Sequence, residues 1–208
     1  MILIFLFSVF SSLLHFVIVA VAIVPFITPA FLLPMFVHMM DQEELQKGDG
    51  PIGLVLAPTR ELCVQIYQEA KKFAKAYNIQ VTAIYGGASK TEQFKELRKG
   101  FVEIIVATPG RLIDLIKMKA TNTRRISYVV LDEADRMFDL GFEPQVRSIL
   151  SNVRPDRQTL LFSATFAKRV EKLASGFSPQ NFFFFLVFIC AVFLLTNRPC
   201  FISLRHLA

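Results

Sequence analysis

Neither Lys, Arg, Asp nor Glu occurs from Met1 to Met40 of this 208-residue chain. That absence removes the positively charged n-region of a secretory signal, and the opening apolar run is longer than a signal's hydrophobic core. Glycine and lysine are both missing over the same stretch. Cysteine is scarce: three residues, at 63, 190 and 200, form an odd total with no spacing that suits a zinc site. No Asn-x-Ser/Thr site is present. A reducing compartment is the simple reading, and nothing calls for a secretory history. Length excludes something too, because 208 residues hold one large domain or one and a half, which strains any function that needs two full domains.

What is there divides sharply. The chain is 53% hydrophobic with a mean hydropathy of +0.47, yet carries a net charge of +6. All 17 acidic residues and 21 of the 23 basic ones lie between Asp41 and Lys172. The middle is therefore an ordinary, mildly basic globular segment, compatible with a polyanion partner but no proof of one. The opening MILIFLFSVFSSLLHFVIVAVAIV (1–24) is long enough to cross a bilayer as a helix. If it inserts, the positive residues all follow it and the remainder stays cytoplasmic. The second apolar run, FFFFLVFICAVFLL (182–195), is short for a span and reads as compositional bias, neither a closing helix nor a sixth strand. The expected organisation is a hydrophobic segment 1–29, a folded segment 30–174 and a hydrophobic tail 175–208.

The folded segment alternates short apolar runs with amphipathic stretches. IGLVLA (52–57), VTAIY (81–85), EIIVA (103–107), YVVL (128–131) and TLLFS (159–163) read as strands. Thr59 to Tyr77 reads as a helix with Leu62, Ile66, Ala70, Phe73 and Tyr77 along one face. A capping box, Ser89-Lys90-Thr91-Glu92, opens a helix that Gly100 ends. Further helices are expected near 110–119, 143–152 and 167–174. Strands separated by helices require crossover connections, so the expected fold is α/β, a parallel sheet with helices on both faces.

Four strands run straight into polar clusters: PTREL (58–62), TPGR (108–111), DEAD (132–135) and SAT (163–165). Parallel strands end along one edge, where open α/β sheets bind ligands, so these clusters converge. An Asp ending a buried strand is the usual holder of Mg²⁺ on a nucleotide phosphate, and an adjacent Glu can orient or deprotonate water. Acidic residues after a strand also serve as helix caps, the plainer alternative. Pro-Thr before a helix is likewise a good structural start. TPGR offers free amides and Arg111 for a phosphate, or routine loop chemistry. Gly86-Gly87 allows close approach of a sugar-phosphate chain, or simply a turn.

Taken in order, PTREL, GG, TPGR, DEAD and SAT resemble the first RecA-like domain of DEAD-box ATP-dependent RNA helicases. RMFDLGFEPQVRSIL (136–150) and RPDRQTLLFSAT (154–165) extend the similarity, which covers about Ala30 to Ala174. The resemblance implies that Asp132 binds the Mg²⁺ of ATP through water and that Glu133 is the general base. It implies that Asp135, Ser163, Ala164 and Thr165 couple nucleotide state to strand separation. Thr59, Arg60, Gly86, Gly87, Thr108, Gly110 and Arg111 would line an RNA path, contacting the sugar-phosphate backbone with little sequence preference. Ribonucleoprotein partners and a nuclear or cytoplasmic location follow from the same resemblance, or a membrane location if 1–24 spans.

The departures are as informative. The family's glycine-rich Gly-Lys-Thr loop, which grips the β- and γ-phosphates, should precede the helix resembling AFLLPMFVHMMDQ (30–42). Here the preceding residues are VAIVPFITP. The second RecA-like domain is also expected to be absent, with foreign hydrophobic sequence at both ends. Three readings result: a helicase fragment with little or no ATPase, a non-catalytic RNA-binding fragment, and a membrane-anchored protein.

Overall fold

The computed structural model describes residues 27–46, 48–165, 168–175 and 182–186. Its strands are β1 (Gly53–Leu56), β2 (Val81–Ile84), β3 (Ile104–Ala107), β4 (Tyr128–Leu131), β5 (Gln158–Ser163) and β6 (Phe182–Leu186). They form one sheet in the order β2-β3-β1-β4-β5-β6, and every neighbouring pair is parallel. Strands covered on both faces lose the polar alternation of a half-solvated sheet, which is why these read as unbroken apolar runs.

Successive residues of each strand feed opposite cores. Leu54, Leu56, Ile105, Ala107, Val129 and Leu131 face one layer, packed by α3 (Lys90–Arg98), α4 (Pro109–Lys117), α5 (Ala134–Asp139), α6 (Glu143–Asn152) and α7 (Lys168–Ser175). Val55, Ala57, Ile104, Val106 and Val130 face the other, covered by α1 (27–40) and α2 (Arg60–Tyr77). From α1 alone Phe31, Leu32, Met35, Phe36 and Met39 are buried. At roughly 1.5–3 kcal/mol per side chain, that face contributes on the order of 10 kcal/mol before entropy is charged. The fit is close enough that a Cβ on Gly53 would collide with Met39 and Met35.

The direction of α1 matters for the site. Phe31, near its amino end, meets Phe162 near the carboxyl end of β5, with ring centroids 5.4 Å apart. His38, near its carboxyl end, bonds Ser127 Oγ at 2.7 Å, just before β4 starts. Thus α1 runs antiparallel to the strands and presents its amino end at their carboxyl edge.

Three expectations need correction. Phe182–Leu186 is a sixth strand, paired with β5 from Thr159↔Phe182 to Ser163↔Leu186; a phenylalanine-rich run satisfies the ladder as well as any β-favouring segment. The buried face of α2 is Cys63, Ile66, Ala70 and Ala74, while Tyr77 is 43% exposed and stacks on Phe36. The helix expected over 30–42 spans 27–40, and α5, only six residues long, was not expected. The segment 1–24, Cys190 and Cys200 lie outside the described residues, among which no helix is long and apolar enough to cross a membrane.

Candidate functional site

Register brings the polar clusters to one edge. Leu56 pairs with Ala107 on one side and Leu131 on the other, with Ile84 beyond Ala107 and Leu161 beyond Leu131. The ladder continues one residue further: Ala57 N donates to Ala107 O (2.9 Å), Thr108 N to Ile84 O (2.9 Å) and Asp132 N to Leu56 O (3.0 Å). Side chains far apart in sequence thus leave the sheet in one row.

On the β4–β5 side lie the acids. Asp132 is 8% exposed, and the Glu133 N–H donates to its Oδ1 at 3.0 Å. Burial pushes its carboxyl up to about 7; the Glu133 charge adds to this and the amide bond opposes it. Glu133 has φ 50° and ψ 52°, a left-handed conformation that strains a residue with a Cβ by about 1–3 kcal/mol. The turn leaves Asp132 inside while Glu133 reaches solvent. Burial also raises the Glu133 carboxyl; Arg136, 3.6 Å away, opposes the rise, and Asp135 adds to it.

Asp135 does something different. Its Oδ2 accepts from both Thr165 N (3.0 Å) and Thr165 Oγ1 (2.9 Å), and its Oδ1 accepts from Arg136 N (3.1 Å). Ser163 Oγ donates to Thr165 O at 2.8 Å, with the exposed Ala164 as the spacer between them. The DEAD and SAT clusters are therefore physically joined through one carboxylate.

On the β1–β3–β2 side lies the second group. Thr59 caps α2, its Oγ1 accepting from Leu62 N at 3.2 Å, so the plainer structural reading holds for that hydroxyl. Arg60 lies over the Tyr85 ring, 5.1 Å from its centroid. Gly87 has φ +77°, which requires glycine without strain, and nothing would meet a Cβ on Gly86. Thr108 and Pro109 start α4, with no side-chain cap from Thr108. Gly110 faces the Phe142 ring. Arg111 Nη1 donates to Ala88 O (3.0 Å) and Gln93 Oε1 (3.1 Å). The structure thus brings Arg60, Gly86, Gly87 and Arg111 around the single loop 85–88. Sequence reasoning missed Tyr85, Gln93 and Arg136, none of which falls in a cluster that spacing singles out.

A magnesium ion suits the acidic group. Asp132 is a desolvated carboxylate beside a second one, and a hydrated cation would restore the charge that burial penalises. The triphosphate does not find its grip. No Gly, Lys or Arg occurs through Met40, so α1 and the residues leading into it provide neither a glycine cradle nor a cation. No hydrolytic step follows from this residue set.

This parallel sheet, with helices on both faces and an acid-ended central strand, is a RecA-like α/β domain. The chain belongs to the DEAD/DEAH box helicase family, whose profile matches residues 28–173. DEAD-box ATP-dependent RNA helicase 24 of Arabidopsis thaliana is 70% identical over 147 residues, covering 71% of this chain and 19% of that protein. ATP-dependent RNA helicase DDX42 of Homo sapiens is 65% identical over 147 residues, covering 71% of this chain and 16% of that protein. The crystal structure of the yeast DEAD-box splicing factor Prp28 superposes with a TM-score of 0.69 at 39% identity, covering 76% of this chain and 38% of that chain. The chain thus spans less than a fifth of the length of these two curated relatives.

Proposed function

We propose that this chain is part of the first RecA-like domain of a DEAD-box RNA helicase, one that binds RNA through its sugar-phosphate backbone and turns over little or no ATP. The folded part is taken as 30–174, flanked by the hydrophobic segments 1–29 and 175–208. The observation that carries the reading is loop 85–88: Gly86 is open above its Cα, and Arg60 and Arg111 flank it from two helices. Guanidinium groups beside an unobstructed glycine backbone suit phosphates and ribose and read no base edge, so binding would be indifferent to sequence. Thr59, Thr108 and Gly110 complete the RNA-facing row.

In this reading Asp132 holds Mg²⁺ through water, Glu133 is placed as general base, and Asp135 with Ser163, Ala164 and Thr165 relays the state of the nucleotide site. Support for the relay is the doubled bond from Thr165 to Asp135. Low ATPase follows from the missing phosphate grip, since positioning and charge stabilisation supply most of the catalysis in phosphoryl transfer. The names of the relatives suggest an RNA substrate and the splicing relative a ribonucleoprotein setting; a nuclear or cytoplasmic location is part of the same reading.

Two measurements on the full chain test this. RNA binding should be salt-sensitive, weakened by Arg60→Ala, and similar for oligonucleotides of different sequence; no binding at low salt would remove the reading. RNA-stimulated phosphate release should be absent, and a turnover that Glu133→Gln abolishes would refute the inactive half.

A further inference from the structure

Loop 85–88 carries two consecutive glycines, and such a loop has more conformational freedom to lose on binding than any other residue pair. Something must hold it in shape beforehand. The hydrogen bonds around it form a closed ring. Gln93, one turn into α3, donates from Nε2 to Tyr85 O (3.1 Å), at the loop's start. Its Oε1 accepts from Arg111 Nη1 (3.1 Å), and the same Nη1 donates to Ala88 O (3.0 Å), at the loop's end. Both ends of the Gln93 amide are used, and its orientation is fixed by partners of opposite kind: a guanidinium for the oxygen, a carbonyl for the nitrogen. A flipped amide would set its NH2 against the guanidinium and its oxygen against the carbonyl, and a carboxylate would leave the Tyr85 carbonyl without that donor. Arg60 lies over the Tyr85 ring, 5.1 Å from its centroid.

We propose that Gln93 is a positioning residue for RNA binding: it pins Gly86 and Gly87 between Tyr85 and Arg111 in the shape that receives the sugar-phosphate chain, without touching RNA itself. This rests on the reading of Arg60, Gly86, Gly87 and Arg111 as an RNA surface. Ordering the loop in the free protein removes an entropic penalty that would otherwise fall on binding.

The test measures binding of a fluorescent single-stranded oligouridylate to the full-length wild type, Gln93→Ala and Arg60→Ala over a salt series. Hydrogen exchange of the free proteins is followed in parallel. Gln93→Ala should weaken binding by about tenfold at every salt concentration, the loss of a pair of hydrogen bonds. It should leave the slope of log K against log salt unchanged, because no phosphate contact is lost. Arg60→Ala should lower that slope by about 0.7, one phosphate contact on a single strand. The amides of residues 86–88 should exchange faster in Gln93→Ala while those of β1, β3 and β4 keep their protection, which separates a loosened loop from a failed fold. Undiminished affinity in Gln93→Ala beside a weakened Arg60→Ala overturns the positioning role and leaves the RNA surface standing. A salt slope that falls in Gln93→Ala as it does in Arg60→Ala overturns it too, since the residue would then act through a lost phosphate contact. If no form of the chain binds RNA at low salt, the surface itself is refuted and this inference with it.

Discussion

Replacing Asp132 by Asn should stabilise the free protein, and by an amount that depends on pH in a defined way. In the fold, burial holds the proton on this carboxyl up to about pH 7, whereas the unfolded chain releases it near 3.8. Between those values the native state binds more protons than the unfolded state, so raising the pH removes stability; above about 7 the loss is constant. At 1.36 kcal/mol per pH unit the interval corresponds to about 4 kcal/mol at neutral pH, a ceiling that relaxation of the site lowers to about 2. Asn keeps the acceptor for the Glu133 N–H and removes the charge. Urea unfolding of wild type and Asp132→Asn in the full chain, followed by circular dichroism at several pH values, reads the difference directly. The gap should be near zero below pH 4, widen between about 4 and 7, and stay flat above. Millimolar Mg²⁺ should narrow it by stabilising the wild type alone. A gap that does not change with pH would refute the claim that the buried charge of Asp132 is what destabilises the site.

Other consequences are simpler to state. Glu133→Gly relieves the left-handed backbone at φ 50° and should add up to about 1 kcal/mol of stability in thermal unfolding; a loss would mean that the glutamate backbone is not strained there. Asp135→Ala removes both bonds from Thr165 and should cost about 1–3 kcal/mol, with faster hydrogen exchange at the Thr165 amide as its local signature. Burial pushes the Cys63 thiol up to about 12, with its sulfur 3.2 Å from Val106 O. Iodoacetamide at pH 8 should therefore label Cys63 only after denaturant is added.

The sheet was legible because its strands are buried on both faces: Leu54, Val55 and Leu56, or Val129, Val130 and Leu131, leave no polar gap to blur the run. The same property hid β6. A phenylalanine-rich segment is apolar throughout whether it pairs with β5 or not, so its pattern could not tell pairing from bias, and only the ladder from Thr159 to Ser163 decides it. Convergence of the clusters followed from parallel strands alone. The contacts within them did not: Thr59 and Asp135 both stand in clusters, yet one caps its own helix and the other reaches thirty residues along the chain to Thr165. Gln93 was invisible because a lone amide on a partly exposed helix face carries no sequence signal; its partners are the Tyr85 carbonyl and Arg111, and those meet only in three dimensions.

The two halves of the edge depend on different parts of the fold, and this is why one can stand without the other. The row proposed to face RNA leaves β1, β2 and β3, and its loop is tied by Gln93 and Arg111 from α3 and α4, all within 53–117. A nucleotide grip would have to come from the amino end of α1, at the carboxyl edge beside Phe162, where the sequence supplies no Gly, Lys or Arg. α1 meets the sheet through its buried stripe, Phe31 to Met39, so a change of sequence before Thr28 leaves those contacts in place. Restoring a glycine-rich loop with a lysine before Thr28 should therefore return Mg²⁺-dependent ATP binding without altering the salt slope for RNA. A grafted loop that raised nucleotide affinity only by unfolding the 85–88 ring, visible as lost exchange protection there, would show that the two halves are not separable.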